Sequence, residues 1–136
     1  MHTFLLVAGE GQIPKLLEPF ADYGGEGTNN NAKFDWFEIG GRFGTALPLK
    51  QPRQLKRFFG LLPGGTTTRA TSAKKSEVDQ TALLADPPAA LLFRGQWSES
   101  ALSTKDGEAE RWRAEFARRF AEIPADCTLT VVDCHG

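Results

Sequence analysis

An amphipathic segment near the end of the chain is the feature that most constrains the fold. Its large apolar side chains recur at spacings of four, four and three residues, which places them on one face of a helix over about residues 106–123. Pro124 ends this helix, and the alternating pattern that follows predicts a strand over residues 127–134. The residues of the apolar face are Trp112, Phe116, Phe120 and Ile123. Because a helix with one apolar face buries it against another layer, we expect this helix to pack on a sheet.

The first part of the chain repeats the combination of strand and helix. The apolar run at residues 2–8 predicts a buried strand that ends at a turn. A short helix follows, with Pro14 in its first turn, where the missing N–H costs nothing. Its apolar face is formed by Ile13, Leu16, Leu17 and Phe20. Residues 33–43 predict a half-buried strand that is broken at Gly40-Gly41.

The middle of the chain gives weaker signals. Residues 51–59 are typical of a short helix, and residues 66–76 predict a mobile loop because almost none of their side chains suits a core. Residues 89–98 predict a strand that leads into a hairpin. The sequence leaves the topology of residues 44–88 open. The order of elements predicts an α+β fold: a two-layer sandwich, ferredoxin-like or related, with a mostly antiparallel sheet and two main helices.

Length and composition limit the class of protein. The 136 residues match one domain, so we expect a single α+β domain over residues 1–136 with a basic, mobile loop near residues 60–80. The apolar runs are far shorter than the roughly 20 residues that cross a bilayer, and we expect the first residues to form a strand rather than a secretion signal. We therefore expect a cytoplasmic protein without a membrane partner. Cys127 and Cys134 are expected on opposite faces of one strand, as two reduced thiols rather than a disulfide.

Charge is distributed unevenly along the chain. Between Glu38 and Glu77 there are eight basic residues and no acidic one, although the net charge is −1. Such a segment can bind nucleic-acid phosphates or an acidic protein surface, or it can simply keep a loop solvated. The residues that we predict to bind a partner are Arg53, Lys56, Arg57, Arg69, Lys74 and Lys75. A host or defence-system protein is the first partner considered, and nucleic acid is the second.

A second group of residues is suited to binding a ligand. Trp36 and Arg42 can stack on or clamp a planar or anionic ligand, and the glycines between them let the backbone approach closely. Asp133 and His135 are expected to share one face of the last strand. These four residues are the predicted ligand-binding set. The alternative interpretation is a bent strand whose aromatic side chains lie in the core.

No catalytic constellation is predicted. Cys134 and His135 are neighbours on a strand and point to opposite faces, so they are not expected to act as nucleophile and base. A metal site would need His2 to converge with Asp133 and His135, which pairing of the first and last strands would allow, but we predict no metal. The sequence also lacks the glycine-rich motifs of nucleotide cofactors, so we predict no cofactor.

Arg42 is also expected to support the bend that precedes it. Gly40-Gly41 lets the chain turn back, and Asp35 is the nearest carboxylate flanked by aromatic residues. A planar guanidinium binds a carboxylate through two hydrogen bonds and stacks on aromatic rings. We therefore predict an ion pair between Arg42 and Asp35 that stacks on Trp36.

Residues 31–43 form the most distinctive motif, Asn-Ala-Lys-Phe-Asp-Trp-Phe-Glu-Ile-Gly-Gly-Arg-Phe. It resembles the phrase Asn-Pro-x-Ser/Ala-Lys-Trp-Asp-Trp-Tyr-x-Ile-Gly-Gly-Arg-Trp of a family of small proteins from phage and prophage genomes. The resemblance continues through residues 73–79, 92–98 and 129–135. The chain departs from the family phrase at Asn30, Phe34, Phe37 and Phe43. The family has no established activity, so the resemblance implies an origin in phage or prophage genomes and no mechanism.

These observations favour a non-enzymatic binding protein of phage or mobile-element origin. Small phage proteins without an evident catalytic constellation often bind a host protein, so we expect an inhibitor of a bacterial defence system, of the anti-CRISPR kind, that acts through protein–protein contact. The first alternative is a small enzyme or ligand-binding domain with a pocket around Trp36, Arg42, Asp133 and His135. The second alternative is a nucleic-acid-binding accessory protein that uses the basic segment 42–75.

Overall fold

A computed structural model describes residues 1–22, 30–50, 69–101 and 105–136. Its strands are β1 His2–Ala8, β2 Trp36–Ile39, β3 Leu47–Pro48, β4 Arg69–Ala70, β5 Ser72–Lys74, β6 Ala90–Phe93, β7 Gln96–Glu99 and β8 Thr128–His135. The α-helices within these residues are α1 Ile13–Leu17, α2 Gln80–Ala85 and α3 Glu108–Ala121. Short 3-10 turns cover Glu18–Phe20, Gly41–Phe43 and Lys75–Glu77.

A mixed sheet with the strand order β2-β8-β1-β6-β7 organises the described part of the chain. The long strand β8 pairs antiparallel with β1 along one edge, and β2 and β5 share its other edge. β1 and β6 pair in parallel, whereas β6 and β7 form an antiparallel hairpin. Arg94 and Gly95 make the hairpin turn with φ values of 52° and 73°, which suits a two-residue turn between twisted strands. The short strands β3 and β4 form a separate ladder.

Each face of the sheet is covered by a hydrophobic layer. On one face, α3 and α2 pack on side chains from the central strands, which defines the α3-side core. Its large buried members include Leu6, Leu91, Leu129, Val131, Leu83, Trp112, Phe116 and Phe120. On the other face, α1 and the residues after it form the α1-side core. Its buried members include Leu5, Val7, Leu92, Val132, Cys134, Ile13, Leu17, Phe20 and Phe34.

The helix α3 follows directly from its sequence. Trp112, Phe116 and Phe120 are all buried against the sheet, as the spacing predicts. Acidic residues in the first turn and Arg118 and Arg119 in the last turn match the helix dipole. The predicted helix and the final strand are therefore confirmed.

The α+β class is confirmed, but the finer architecture differs from the prediction. Helices cover both faces of the sheet, so the fold has three layers rather than two. The ferredoxin-like arrangement is not confirmed: β1 and β6 pair directly, whereas a split βαβ unit separates the two strands that its crossover joins. The number of layers and the pairing of β1 with β6 both depend on long-range contacts, which the periodicity of the sequence does not specify.

The prediction of a loop without secondary structure over residues 66–76 is wrong where the structure describes it. Residues 69–76 contain β4, β5 and part of a 3-10 turn, and β5 pairs with β8 at Ala73 opposite Leu129. Main-chain pairing at a sheet edge needs few apolar side chains, so the composition gave no sign of it. The predicted helix over residues 51–59 and the first part of the basic loop, residues 60–68, lie outside the described residues. No helix among the described residues is long and apolar enough to cross a membrane.

Candidate functional site

The ends of strands β1, β8 and β2 bring three aromatic rings together. The register places His2 opposite His135, and His135 opposite Trp36. The ring centroids of His2 and His135 lie 5.0 Å apart, and Trp36 stacks on His135 at 5.1 Å. Trp36 is 43% exposed, so this His–Trp cluster, defined by His2, His135 and Trp36, opens to solvent.

The buried carboxylate of Asp133 supports the cluster from below. Asp133 is 1% exposed, and its oxygens bind the Nδ1 atom of His2 at 2.8 Å and the backbone N–H of Arg42 at 2.9 Å. Burial alone would raise the pKa of Asp133, but the hydrogen bonds from Arg42 and His2, together with their positive charge, lower it overall. Because an ionised carboxylate only accepts hydrogen bonds, Nδ1 of His2 carries the proton and Nε2 is the nitrogen left for a ligand.

Gly41 makes the approach of the backbone to Asp133 sterically possible. Its φ is +54°, and a Cβ atom at this position would lie 2.5 Å from Cβ of Asp133. Any side chain would therefore push the 3-10 turn away from the carboxylate and break the hydrogen bond from Arg42. The same turn is held by Phe43, which stacks on Phe4 at 4.9 Å. The glycine pair thus shapes an anion-binding turn for a carboxylate of the protein itself.

His135 has a carboxylate partner of its own. Its Nδ1 atom lies 3.3 Å from Oδ1 of Asp35, and the backbone N–H of Asp35 donates to the carbonyl of His135 at 2.8 Å. Both side chains are partly exposed, at 35% and 55%. The cluster therefore contains two adjacent carboxylate–histidine pairs, one buried and one at the surface.

The predicted ion pair between Arg42 and Asp35 is wrong. Asp35 pairs with His135, and the backbone of Arg42, rather than its guanidinium, binds Asp133. Asp35 and Arg42 lie beyond opposite ends of β2, whose residues each advance the chain by about 3.3 Å, so the strand holds the two apart. The guanidinium of Arg42 is exposed, and its positive charge helps to lower the pKa of Asp133.

The two cysteines take no part in the cluster. Cys127 belongs to the α3-side core and Cys134 to the α1-side core, and both are free thiols, which confirms their placement on opposite faces. Burial and the neighbouring charge of Asp133 raise the pKa of Cys134 to about 12. A thiol on the far face of the sheet with such a pKa is not a nucleophile for the histidines.

The predicted partner-binding residues differ in their exposure to solvent. Arg69 and Lys74 are exposed, and Arg69 donates a hydrogen bond to the carbonyl of Ala46 at 3.2 Å. Lys75 is buried: its Nζ atom donates to the carbonyls of Phe120 and Ile123 at 2.8 and 2.7 Å. The assignment of Lys75 to a contact surface is therefore wrong. Arg53, Lys56 and Arg57 lie outside the described residues.

The structure brings together most of the predicted ligand-binding set. Trp36, Asp133 and His135 meet at one end of the sheet, and Arg42 contacts Asp133 through its backbone. The sequence analysis considered His2 only as a metal ligand and missed its pairing with Asp133. The sequence contained part of the signal for this pairing. His2 begins the first predicted strand and Asp133 lies near the end of the last, so antiparallel pairing of the two strands brings them together. Among the described residues, no group of three or more His, Cys, Asp and Glu is placed to hold a metal ion.

A pocket of about 280 Å³ lies elsewhere, between the end of α2 and the start of α3. Its lining includes Asp86, Ser100, Glu108 and Trp112. It shares no residue with the His–Trp cluster, which is a surface site.

No protein family, no curated protein and no solved structure matches the chain. The geometry of the site is therefore the only indication of function among the described residues.

Proposed function

We propose that this chain is a ligand-binding domain with acid–base capability, and that its site is the His–Trp cluster. The observation that carries the proposal is the pair of adjacent imidazoles, each bound through Nδ1 to a carboxylate, beneath an exposed indole. A carboxylate that binds Nδ1 fixes the tautomer and orientation of the ring, which directs Nε2 toward a ligand. The structural alternative is that these contacts only hold the end of the sheet together.

The surroundings of the cluster suggest a ligand that combines a planar ring with a negative group. The exposed face of Trp36 offers a stacking surface for a ring. The exposed guanidinium of Arg42 attracts an anion, and a protonated imidazole adds to this attraction. Glu38 is an exposed carboxylate that lies opposite Asp133 on β2, so it opposes the binding of an anion. Substitutions of Arg42 and Glu38 should therefore have opposite effects on the binding of an anionic ligand.

Binding can be measured by NMR with adenosine 3′-monophosphate as the probe and inorganic phosphate as its ring-free control. We expect saturable shifts of the His2, His135 and Trp36 ring signals, with Trp97 and Trp112 unchanged. Arg42→Gln should weaken binding and Glu38→Gln should strengthen it, because the substitutions remove charges of opposite sign. Ile39→Ala, which alters an exposed side chain on the same strand, should leave binding unchanged. Shifts of equal size at all three tryptophans, or none, would contradict the proposal.

A second candidate is the inhibitor of a bacterial defence system, acting through protein–protein contact. The observation that favours it is the outer strand β2, on which both Trp36 and Ile39 are exposed. The Gly40 N–H bond to the Val131 carbonyl extends the β2–β8 ladder, so by alternation Phe37 and Ile39 direct their backbone polar groups away from β8. Such an edge can accept an extended segment of a partner.

The two possible contact surfaces for a protein partner can be separated with a bacterial lysate. We expect a partner captured by the native chain to be lost with Ile39→Lys and retained when Arg53, Lys56 and Arg57 are reversed in charge. The opposite result would return the contact to the basic segment. Retention with both variants would leave neither surface as the contact.

A further inference from the structure

The His–Trp cluster has two proton-transfer groups and no nucleophile among its described side chains. The rings contact one another and the carboxylates of Asp35 and Asp133. The thiol nearest in sequence, Cys134, faces the opposite side of the sheet. A reaction at these imidazoles therefore uses a nucleophile that water or the substrate itself supplies.

The spacing of the rings limits the reacting group to a small one. With centroids 5.0 Å apart, His2 and His135 can serve a nucleophile and a leaving group only when both belong to the same centre. An RNA phosphodiester meets this condition, because the 2′-oxygen and the 5′-oxygen bond to one phosphorus and the 2′-hydroxyl distinguishes RNA from DNA. The exposed indole of Trp36 suits an unstacked base beside that phosphorus.

We propose that the His–Trp cluster cleaves single-stranded RNA by attack of the 2′-hydroxyl on the adjacent phosphodiester. This inference rests on the proposed function and deepens it, since it names the substrate class of the same site. His135 is assigned as the base because its ring is the nearer to Trp36, at 5.1 Å against 6.3 Å for His2. His2 is assigned as the acid. Asp35 and Asp133 are positioning residues that act through the imidazoles.

The step balances without any further reactant. Nε2 of His135 takes the proton of the 2′-hydroxyl while the 2′-oxygen forms its bond to phosphorus. The bond between phosphorus and the 5′-oxygen breaks, and its electron pair stays on the leaving 5′-oxygen. That oxygen accepts a proton from Nε2 of His2. The products are a 2′,3′-cyclic phosphate and a 5′-hydroxyl. Proton exchange with solvent returns both rings to their starting states.

The test uses the full chain in EDTA with an oligodeoxynucleotide that contains one ribonucleotide. We expect cleavage only at the ribonucleotide, with a cyclic phosphate as product, and a bell-shaped dependence of rate on pH. His2→Asn and His135→Asn should each lower the rate by about 10²-fold or more. Asparagine retains an N–H near the position of Nδ1, so the contact with the carboxylate and the fold should persist, which circular dichroism checks. Glu122→Gln, which alters an exposed side chain just after α3, should cleave at the native rate.

A substrate with sulfur in place of the bridging 5′-oxygen tests the assignment of the two histidines. A thiolate leaves without a proton, so this substrate should restore the rate of His2→Asn but not that of His135→Asn. Rescue of neither variant, or equal cleavage by native and variant proteins, would overturn the proposal. The all-deoxy strand separates the two levels of inference. Binding of that strand without cleavage of the ribonucleotide overturns only RNA cleavage, whereas the absence of any binding overturns the proposed function as well.

Discussion

Asp133 is the residue on which the local structure of the site depends. One buried carboxylate binds an imidazole from β1 and a backbone N–H from the turn after β2, and it lies itself on β8. Three segments that are far apart in the sequence thus meet at one charge. A buried ionised group with two strong donors stabilises the fold only while it is ionised.

Replacing this carboxylate should give a pH-dependent loss of stability. Asp133→Asn should lower the free energy of unfolding by about 2 kcal/mol at neutral pH, since hydrogen bonds to a charged group are lost. Because the pKa of Asp133 is lower in the folded state than its ordinary value of 3.8, its contribution is complete above that value and is lost as pH falls through the folded pKa. Urea unfolding at several pH values should show native and variant proteins converging in acid. A constant difference down to about pH 2 would contradict this account.

At the scale of elements, the end of α3 is held by a lysine from another part of the chain. Lys75 follows β5, and its ammonium group binds the carbonyls of Phe120 and Ile123 while lying 4.7 Å from the centre of the Phe120 ring. These carbonyls lie at the C-terminal end of the helix and its exit, where the regular helical hydrogen bonds run out. The Phe120 carbonyl also accepts the backbone N–H of Ile123 at 3.1 Å. Burial lowers the pKa of Lys75, with the nearby Cys127 opposing the change.

Removing the amino group of Lys75 should destabilise the protein, although Lys75 belongs to a basic segment that was predicted to lie on the surface. Lys75→Met keeps most of the aliphatic chain but removes the charged donor that the carbonyls of Phe120 and Ile123 share, at a cost of about 1–3 kcal/mol. Lys74→Met is the matched control, because Lys74 is exposed and its substitution should change stability by less than about 0.5 kcal/mol. Chemical denaturation of both variants measures the difference. Equal small effects would show that the cap contributes nothing.

On the scale of the whole molecule, one sheet is shared by two hydrophobic cores. Adjacent residues of β1 point into opposite layers, as with Leu5 in the α1-side core and Leu6 in the α3-side core. The central strands therefore cannot lose one layer and keep the packing of the other. This arrangement is expected to couple the two layers in a single cooperative transition.

The two buried cysteines report on the two layers separately. We expect Cys127 and Cys134 to become reactive toward a thiol reagent at the same urea concentration. Leu17→Ala removes a fully buried side chain from the α1-side core alone, at a cost of about 2–5 kcal/mol. It should lower both midpoints equally, as mass spectrometry of labelled peptides can show. A shift of the Cys134 midpoint alone would mean that the layers unfold independently.

Some features were decided by local sequence and were predicted from it. The spacing of Trp112, Phe116 and Phe120 specifies a helix with one buried face wherever that helix packs. The period of a strand equally determines that Asp133 and His135 share a face while Cys134 takes the other. These statements need only the geometry of a single element, so they hold before the rest of the fold is known.

Other features were decided only by the tertiary structure. The bond between His2 and Asp133 joins residues 131 positions apart, and it exists because β1 and β8 pair in one particular register. The parallel contact of β1 with β6 and the burial of Lys75 under α3 likewise depend on partners that are distant in sequence. Periodicity specifies which face of an element is apolar, but it does not specify which neighbour lies against an edge or which distant carbonyl a side chain reaches. The sequence by itself thus determined the strongly periodic elements, such as α3 and β8, and long-range strand pairing decided the candidate site.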